Sequence, residues 1–270
     1  MVARAEVAPG VGACEIVKVL IGMFGVLVEK ITITYFWLFY SGVSESVSID
    51  VVSTWHRPGL LHSYPLLNNS LLLLFFCLAH SILARKSIKN LVSIVLLSDS
   101  VYRHFYLFQS SLLIFLICYG WTPHANPTLW DIQFSPLREA LHGVCFVGLM
   151  MNMVAFFSLP VLDFIGVREP LEKLTGRRLG RGEKGDLVTS GVYSIVRHPM
   201  YTGLLTFFWF NPTMTVSRFM IAAVLTAYVV MALPLFEEPS LVAMFGDSYR
   251  EYQKTTPMLL PVPFYKQKNQ

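Results

Sequence analysis

Charge is what this sequence has least of. Only 14% of its 270 residues are Asp, Glu, Lys or Arg, where a soluble domain carries about 25%. With 54% hydrophobic residues and a mean hydropathy of +0.54, that deficit excludes an ordinary soluble globule and points to an integral membrane protein. Cysteine is scarce too. Cys14, Cys77, Cys118 and Cys145 lie far apart with no C-x-x-C among them, so neither a disulfide framework nor a zinc site is supported, and they read as small hydrophobes. No basic face with interleaved aromatics suggests a nucleic-acid partner. Neither G-x-x-x-x-G-K-[ST] nor G-x-G-x-x-G occurs, so the glycines and charges of 163–190 read as a solvated loop rather than a phosphate cradle. The first 15 residues hold Glu6, Glu15 and a single arginine ahead of a long apolar stretch, unlike a signal peptide. Asn68-Asn69-Ser70 is a formal glycosylation sequon, but it abuts an apolar run and would lie too near the bilayer to be used.

What the sequence has is apolar runs. A spanning helix needs about 20 mostly apolar residues, and candidates fall at 18–40, 66–84, 104–121, 140–162 and 217–236. A shorter one at 200–211 ends on Asn211-Pro212, as the first arm of a tight helical hairpin. The expected fold is therefore an all-α integral membrane protein with about six transmembrane helices. Four segments follow: residues 1–65 with the first helix, 66–162 with helices two to four, a cytosolic loop at 163–190, and a C-terminal hairpin at 191–270. Within the last, Leu241, Phe245, Tyr249 and Tyr252 recur at helical spacing, which predicts an amphipathic helix on the membrane surface. Six crossings place sixteen Lys and Arg on the side of the termini and only Arg57, Arg138 and Arg218 opposite. The positive-inside bias puts both termini in the cytosol or nucleoplasm.

The chemistry-bearing stretch is "VRHPMYTG", Val196 to Gly203. Pro199 marks a helix start, where free backbone N–H groups and the positive dipole end gather beside Arg197 and His198. Such a place suits an anion. Tyr201 offers a ring and a hydroxyl, and Gly203 a bare backbone for close approach. Some 35 residues on, "LPLFEEPSL" sets Glu237 and Glu238 at the base of the next apolar run, where a hairpin returns them to Arg197 and His198. A ligand with a carboxylate, an ammonium, vicinal hydroxyls and a flat ring fits that crevice, and S-adenosylmethionine has all of them and a sulfonium that aromatic faces hold. The alternative is a topological anchor in which Arg197 pairs with Glu237 or Glu238.

"RHPMYTG", "FEE" and "FGDSYREYQKTTPMLLP", in that order over residues 187–261, resemble the C-terminal half of the isoprenylcysteine carboxyl methyltransferase-like membrane methyltransferases. "FFCLAHSILAR", "PTLWDI" and "NPTMTVSRFMIAAVLTAYV" further upstream and between resemble the nurim family, which joins nuclear-envelope nurims with methanethiol S-methyltransferases; residues 1–65 are not covered. The resemblance implies an S-adenosylmethionine site of Arg197, His198, Pro199, Tyr201, Gly203, Glu237 and Glu238, with Tyr249 and Tyr252 on the covering helix. It implies a small lipophilic thiol as methyl acceptor, entering from the lipid, with His198, Glu237, Glu238 and His80 as candidate catalytic groups. It also carries an alternative, a non-catalytic protein of the inner nuclear membrane or endoplasmic reticulum. His80 and Ser81 line a pocket or make interhelical hydrogen bonds. His142 and Cys145, at i and i+3, are two ligands at most and read as packing; no metal is expected.

Overall fold

A computed structural model describes residues 9–42, 47–50, 63–96, 99–123, 127–177 and 187–261. Much of the predicted N-terminal segment and of the 163–190 loop, with Arg57, lies outside the described residues. The described chain is predominantly helical. Helices α1 (Pro9–Ser41), α2 (Pro65–Ala84), α3 (Lys86–Leu96) and α4 (Asp99–Gly120) are followed by a short strand, β1 (Thr128–Asp131). Then come α5 (Ser135–Ser158), α6 (Val161–Phe164), α7 (Arg168–Thr175), α8 (Pro199–Trp209), β2 (Thr213–Thr215), α9 (Val216–Ala232), α10 (Glu238–Phe245) and α11 (Asp247–Thr255). Four helical stretches among the described residues are long and apolar enough to cross a membrane: Pro65–Ala84, Val101–Gly120, Ser135–Ser158 and Val216–Phe245. Large apolar side chains such as Leu67, Phe75, Phe146, Val147 and Phe157 are exposed on them, the arrangement a lipid solvent demands.

Two compact units form. The first gathers α1 to α4 with α6 and α7. Several of its polar residues, Asn68, Asn69, Ser111 and Thr122 among them, are buried. Asn68 donates to the carbonyl of Gly120 at 2.8 Å and to Thr122 Oγ1 at 3.1 Å. Asn69 donates to the Thr122 carbonyl at 2.8 Å and accepts from the Thr122 N–H at 2.9 Å. Two buried amides thus close the end of α4 against the start of α2. Asn68, the sequon asparagine, is buried. His80 stacks on Phe76 and accepts or donates toward Tyr106 Oη at 2.9 Å and Ser110 Oγ at 3.3 Å. The expected solvated loop at 163–190 is in part helical. Val161, Ile165, Val167 and Leu171 pack with Val19, Val26 and Leu107, and Gly176 ends α7 in the left-handed region at φ +62, where the absence of a Cβ removes the penalty.

The second unit holds α5, α8 to α11 and the strands. An all-α expectation misses its antiparallel ribbon, in which Thr128 pairs with Thr215 and Asp131 with Thr213. The ribbon joins the "PTLWDI" and "NPTMT" motifs. Thr213 Oγ1 donates to Asp131 Oδ1 at 2.8 Å, and Arg138 reaches the same oxygen at 3.1 Å. Hydrogen bonding to Thr213 and Arg138 holds the Asp131 carboxyl below its ordinary range. Thr215 then caps α9 by accepting the Arg218 N–H, and Trp209 donates to Thr226 at 2.8 Å, tying α8 to α9. Past Ala232 the chain widens into a π turn, Leu233–Glu237. Pro234 cannot donate a helical hydrogen bond, and a wider turn accommodates it. The expected single amphipathic helix breaks at Gly246, φ +63, into α10 and α11.

Candidate active site

The site lies where α8 begins and the π turn ends. His198 is the residue before α8, and Pro199 occupies its first turn. Glu237 closes the π turn and Glu238 opens α10. Some 40 residues apart, they meet. His198 Nε2 lies 2.6 Å from Glu238 Oε1, and Nδ1 lies 3.6 Å from Glu237 Oε1. Arg197 grips Glu238 as a fork, Nε to Oε1 and Nη2 to Oε2, both at 3.0 Å. Tyr249 donates to Glu238 Oε1 at 2.8 Å, and Gln253 donates to Oε2. Tyr201 donates to Glu237 Oε2 at 2.8 Å. One tight basic–acidic cluster results.

Its electrostatics follow from burial and charge. For His198, burial opposes the charged form, but the hydrogen bonds and charges of Glu237 and Glu238 outweigh it and hold the imidazole above its ordinary pKa. Burial, then the hydrogen bond to Glu238, pushes Tyr249 well above the usual phenol range. Tyr193, which sequence reasoning passed over, is pushed up to about 12 by burial and by the nearby Glu237 charge. Its hydroxyl donates to the Ala155 carbonyl at 3.2 Å, while its own carbonyl accepts from Tyr252. Gln253 was equally silent in the sequence, being one polar residue on a polar helix.

Several of the expected site residues have partners within the protein. Just ahead of the helix start, the N–H groups of Arg197 and His198 donate to the carbonyls of Pro257 and Met258 at 2.8 and 3.1 Å. The guanidinium of Arg197 is spent on Glu238 and on the carbonyls of Gln253 and Thr256. Gly203 faces α5, where an added Cβ would sit 2.4 Å from the Gly148 carbonyl oxygen and 2.9 Å from the Asn152 nitrogen. Its bare backbone serves helix packing. Tyr249 and Tyr252 are buried, with their hydroxyls turned to Glu238 and Tyr193. His80 belongs to the first unit, in its Phe76, Tyr106 and Ser110 environment. Cys145 is buried with its sulfur 3.7 Å from the Phe207 carbonyl. Within the cluster Glu237 keeps solvent access, its side chain 39% exposed, and Tyr201 and Gln253 are half-buried.

Comparison with known proteins places a family model on this half of the chain and relatives over most of its length. A family model described as phospholipid methyltransferase matches residues 143–248, from within α5 to the start of α11. A methanethiol S-methyltransferase of Pseudomonas deceptionensis is 34% identical over 204 residues, 76% of each chain. The chain belongs to the nurim family of membrane methyltransferase-like proteins. Within that family, methanethiol S-methyltransferase 1 of Bradyrhizobium diazoefficiens is 29% identical over 260 residues, 95% of this chain and 87% of that one. Nurim of Bos taurus is 28% identical over 215 residues, 77% and 81% of the two chains. No solved structure matches.

Proposed function

We propose that this nurim-family protein is a multi-pass membrane methyltransferase that moves a methyl group from S-adenosylmethionine to a small lipophilic thiol. The observation that carries the reading is the accessible Glu237 carboxylate, flanked by Tyr201 and the Nδ1 edge of His198, in a chain similar to methanethiol S-methyltransferases. An open carboxylate beside a phenol and an imidazole suits the vicinal hydroxyls and ammonium of the donor. The Arg197 guanidinium suits its carboxylate less well, since four of its five N–H donors are already taken. When bound, S-adenosylmethionine supplies an electrophilic methyl on a positively charged sulfur. Glu237 accepts hydrogen bonds and contributes negative charge near that cation, and the Tyr201 and His198 rings, 6.1 Å apart, provide aromatic faces. In the transfer the acceptor sulfur would gain the methyl carbon as the donor's methyl–sulfur bond breaks to leave a neutral thioether, and the thiol proton would pass to solvent. A thiol with a pKa near 8.5 needs modest help to do so. Positioning and exclusion of water supply the rate enhancement.

The reading extends to six crossings with both termini on the cytosolic side, as the loop charges indicate. Similarity to nurim supports a second reading, a non-catalytic protein of the nuclear envelope. Purified protein assayed with labelled S-adenosylmethionine against a panel of thiols and prenylcysteines separates the two. Transfer to a small thiol is expected. Transfer to none of them, with no thermal shift on adding cofactor, overturns the enzyme reading and favours the second.

A further inference from the structure

Glu237 and Glu238 are sequence neighbours of identical chemistry, yet the fold treats them oppositely. The Glu238 side chain is 9% exposed, and its two oxygens accept from five donors: Arg197 Nε and Nη2, His198 Nε2, the Tyr249 hydroxyl and the Gln253 amide. No room is left on it for a ligand. The Glu237 side chain is 39% exposed, accepts from Tyr201 and faces His198 Nδ1.

We propose that the pair divides its labour: Glu238 is a positioning residue that fixes the proton and the aim of His198, and Glu237 is the carboxylate that meets the bound ligand, taking its vicinal hydroxyls or its ammonium. The second half rests on the reading that the site holds S-adenosylmethionine. The first half follows from hydrogen-bond arithmetic. An ionised carboxylate accepts and never donates. Glu238 is surrounded by donors, so the nitrogen 2.6 Å from it, His198 Nε2, must carry a hydrogen. A neutral His198 is therefore the Nε2–H tautomer, and its Nδ1 lone pair faces the Glu237 side of the ring. A carboxylate behind an imidazole sets which nitrogen stays available in front of it. Gln253 extends the device into α11, because it satisfies the oxygen that otherwise answers to Arg197 alone. Tyr249 does the same for the other oxygen.

The test uses full-length protein in detergent, with 15N-labelled histidine, the His198 signals assigned by difference from His198→Asn, and S-adenosylhomocysteine as the probe. In wild type above the His198 titration, a single Nε2–H signature is expected. Glu238→Gln, which can donate as well as accept, is expected to give mixed tautomers; Gln253→Met leaves the Glu238 carboxylate in place and is expected to keep the single Nε2–H tautomer. Glu237→Gln is expected to keep the wild-type tautomer and thermal midpoint while losing roughly tenfold or more in probe affinity. A single Nε2–H tautomer persisting in Glu238→Gln, or an Nδ1–H or mixed tautomer in wild type, overturns the positioning role. Unchanged affinity in Glu237→Gln overturns the ligand-facing role. If wild type binds neither probe nor S-adenosylmethionine, the cofactor reading and the Glu237 role fall together, while the tautomer measurement still decides Glu238.

Discussion

Gly148 on α5 and Gly203 on α8 face each other backbone to backbone. A Cβ built on Gly148 would lie 2.7 Å from the Gly203 carbonyl oxygen, and one on Gly203 would lie 2.4 Å from the Gly148 carbonyl oxygen. Beside the crossing, Asn152 donates to the Met200 carbonyl at 2.9 Å, so the first turn of α8 is held against α5 by an amide and a pair of missing side chains. In lipid, such close approach replaces the hydrophobic drive that water would supply. The position of His198 depends on it, since His198 stands at the head of the same helix.

Alanine at either glycine therefore overpacks the crossing. Gly203→Ala, with backbone on the opposing side, is expected to destabilise by about 1–3 kcal/mol. Thermal unfolding in detergent should show lowered midpoints for both variants. An unchanged midpoint for the double variant Gly148→Ala/Gly203→Ala contradicts the packing.

Arg197→Lys keeps the charge and loses the fork. Both Arg197 and Glu238 side chains are 9% exposed, and stripping a buried carboxylate of its partner costs about 3–5 kcal/mol. A lysine recovers one of the two parallel bonds at best. Arg197→Lys should lose stability, and Arg197→Met should lose more. Equal stability of Arg197→Met and wild type in a denaturation series would show the ion pair to be idle.

The raised pKa of His198 sets a pH dependence. Its ordinary value is 6.5, and the two glutamates lift the folded-state value above it despite the opposing effect of burial. The folded chain therefore holds the proton more tightly than the unfolded one. The stabilisation is fully present below pH 6.5 and is lost as pH rises through the higher folded value. The difference in thermal midpoint between wild type and His198→Gln should shrink as pH is raised from about 5.5 to 9 across that window. A difference that grows with pH contradicts the imidazolium–carboxylate pairing.

Asn69 secures the other unit. Asn69→Leu leaves the buried Thr122 N–H and carbonyl without their side-chain partners, at about 1–3 kcal/mol for each orphaned group. The thermal midpoint should fall, and Asn69→Asp should also fall, because an ionised Asp loses the donor to the Thr122 carbonyl. Asn68, buried beside it, should remain unglycosylated in a secretory expression host, as a mass measurement will show.

Local signals carried much of this protein. Pro65, Pro136, Pro199 and Pro239 each stand in the first turn of a helix, because proline gives up an N–H that has no partner there. The apolar runs became α2, α4, α5 and α9 with ends shifted by a few residues. One misreading was local: Leu241 to Tyr252 reads as one amphipathic helix, and Gly246 turns it. The other lies where a distant contact decides. "PTLWDI" and "NPTMT" showed no strand signal, since the strands within them are only four and three residues long and each is stabilised by the other.

Hydropathy and chain direction are properties of neighbouring residues, so the sequence alone determined a helical membrane protein with an Arg-His-Pro helix start and a pair of acids at the foot of an apolar run. Which acid is buried and which is open, whether Arg197 is spent or available, and why Gly203 lacks a side chain were decided by tertiary structure. Those answers rest on partners far along the chain, 41 residues away for Arg197 and Glu238 and 82 for Asp131 and Thr213. A carboxylate's role is set by how many donors the fold crowds around it, and no pattern of adjacent residues encodes that number.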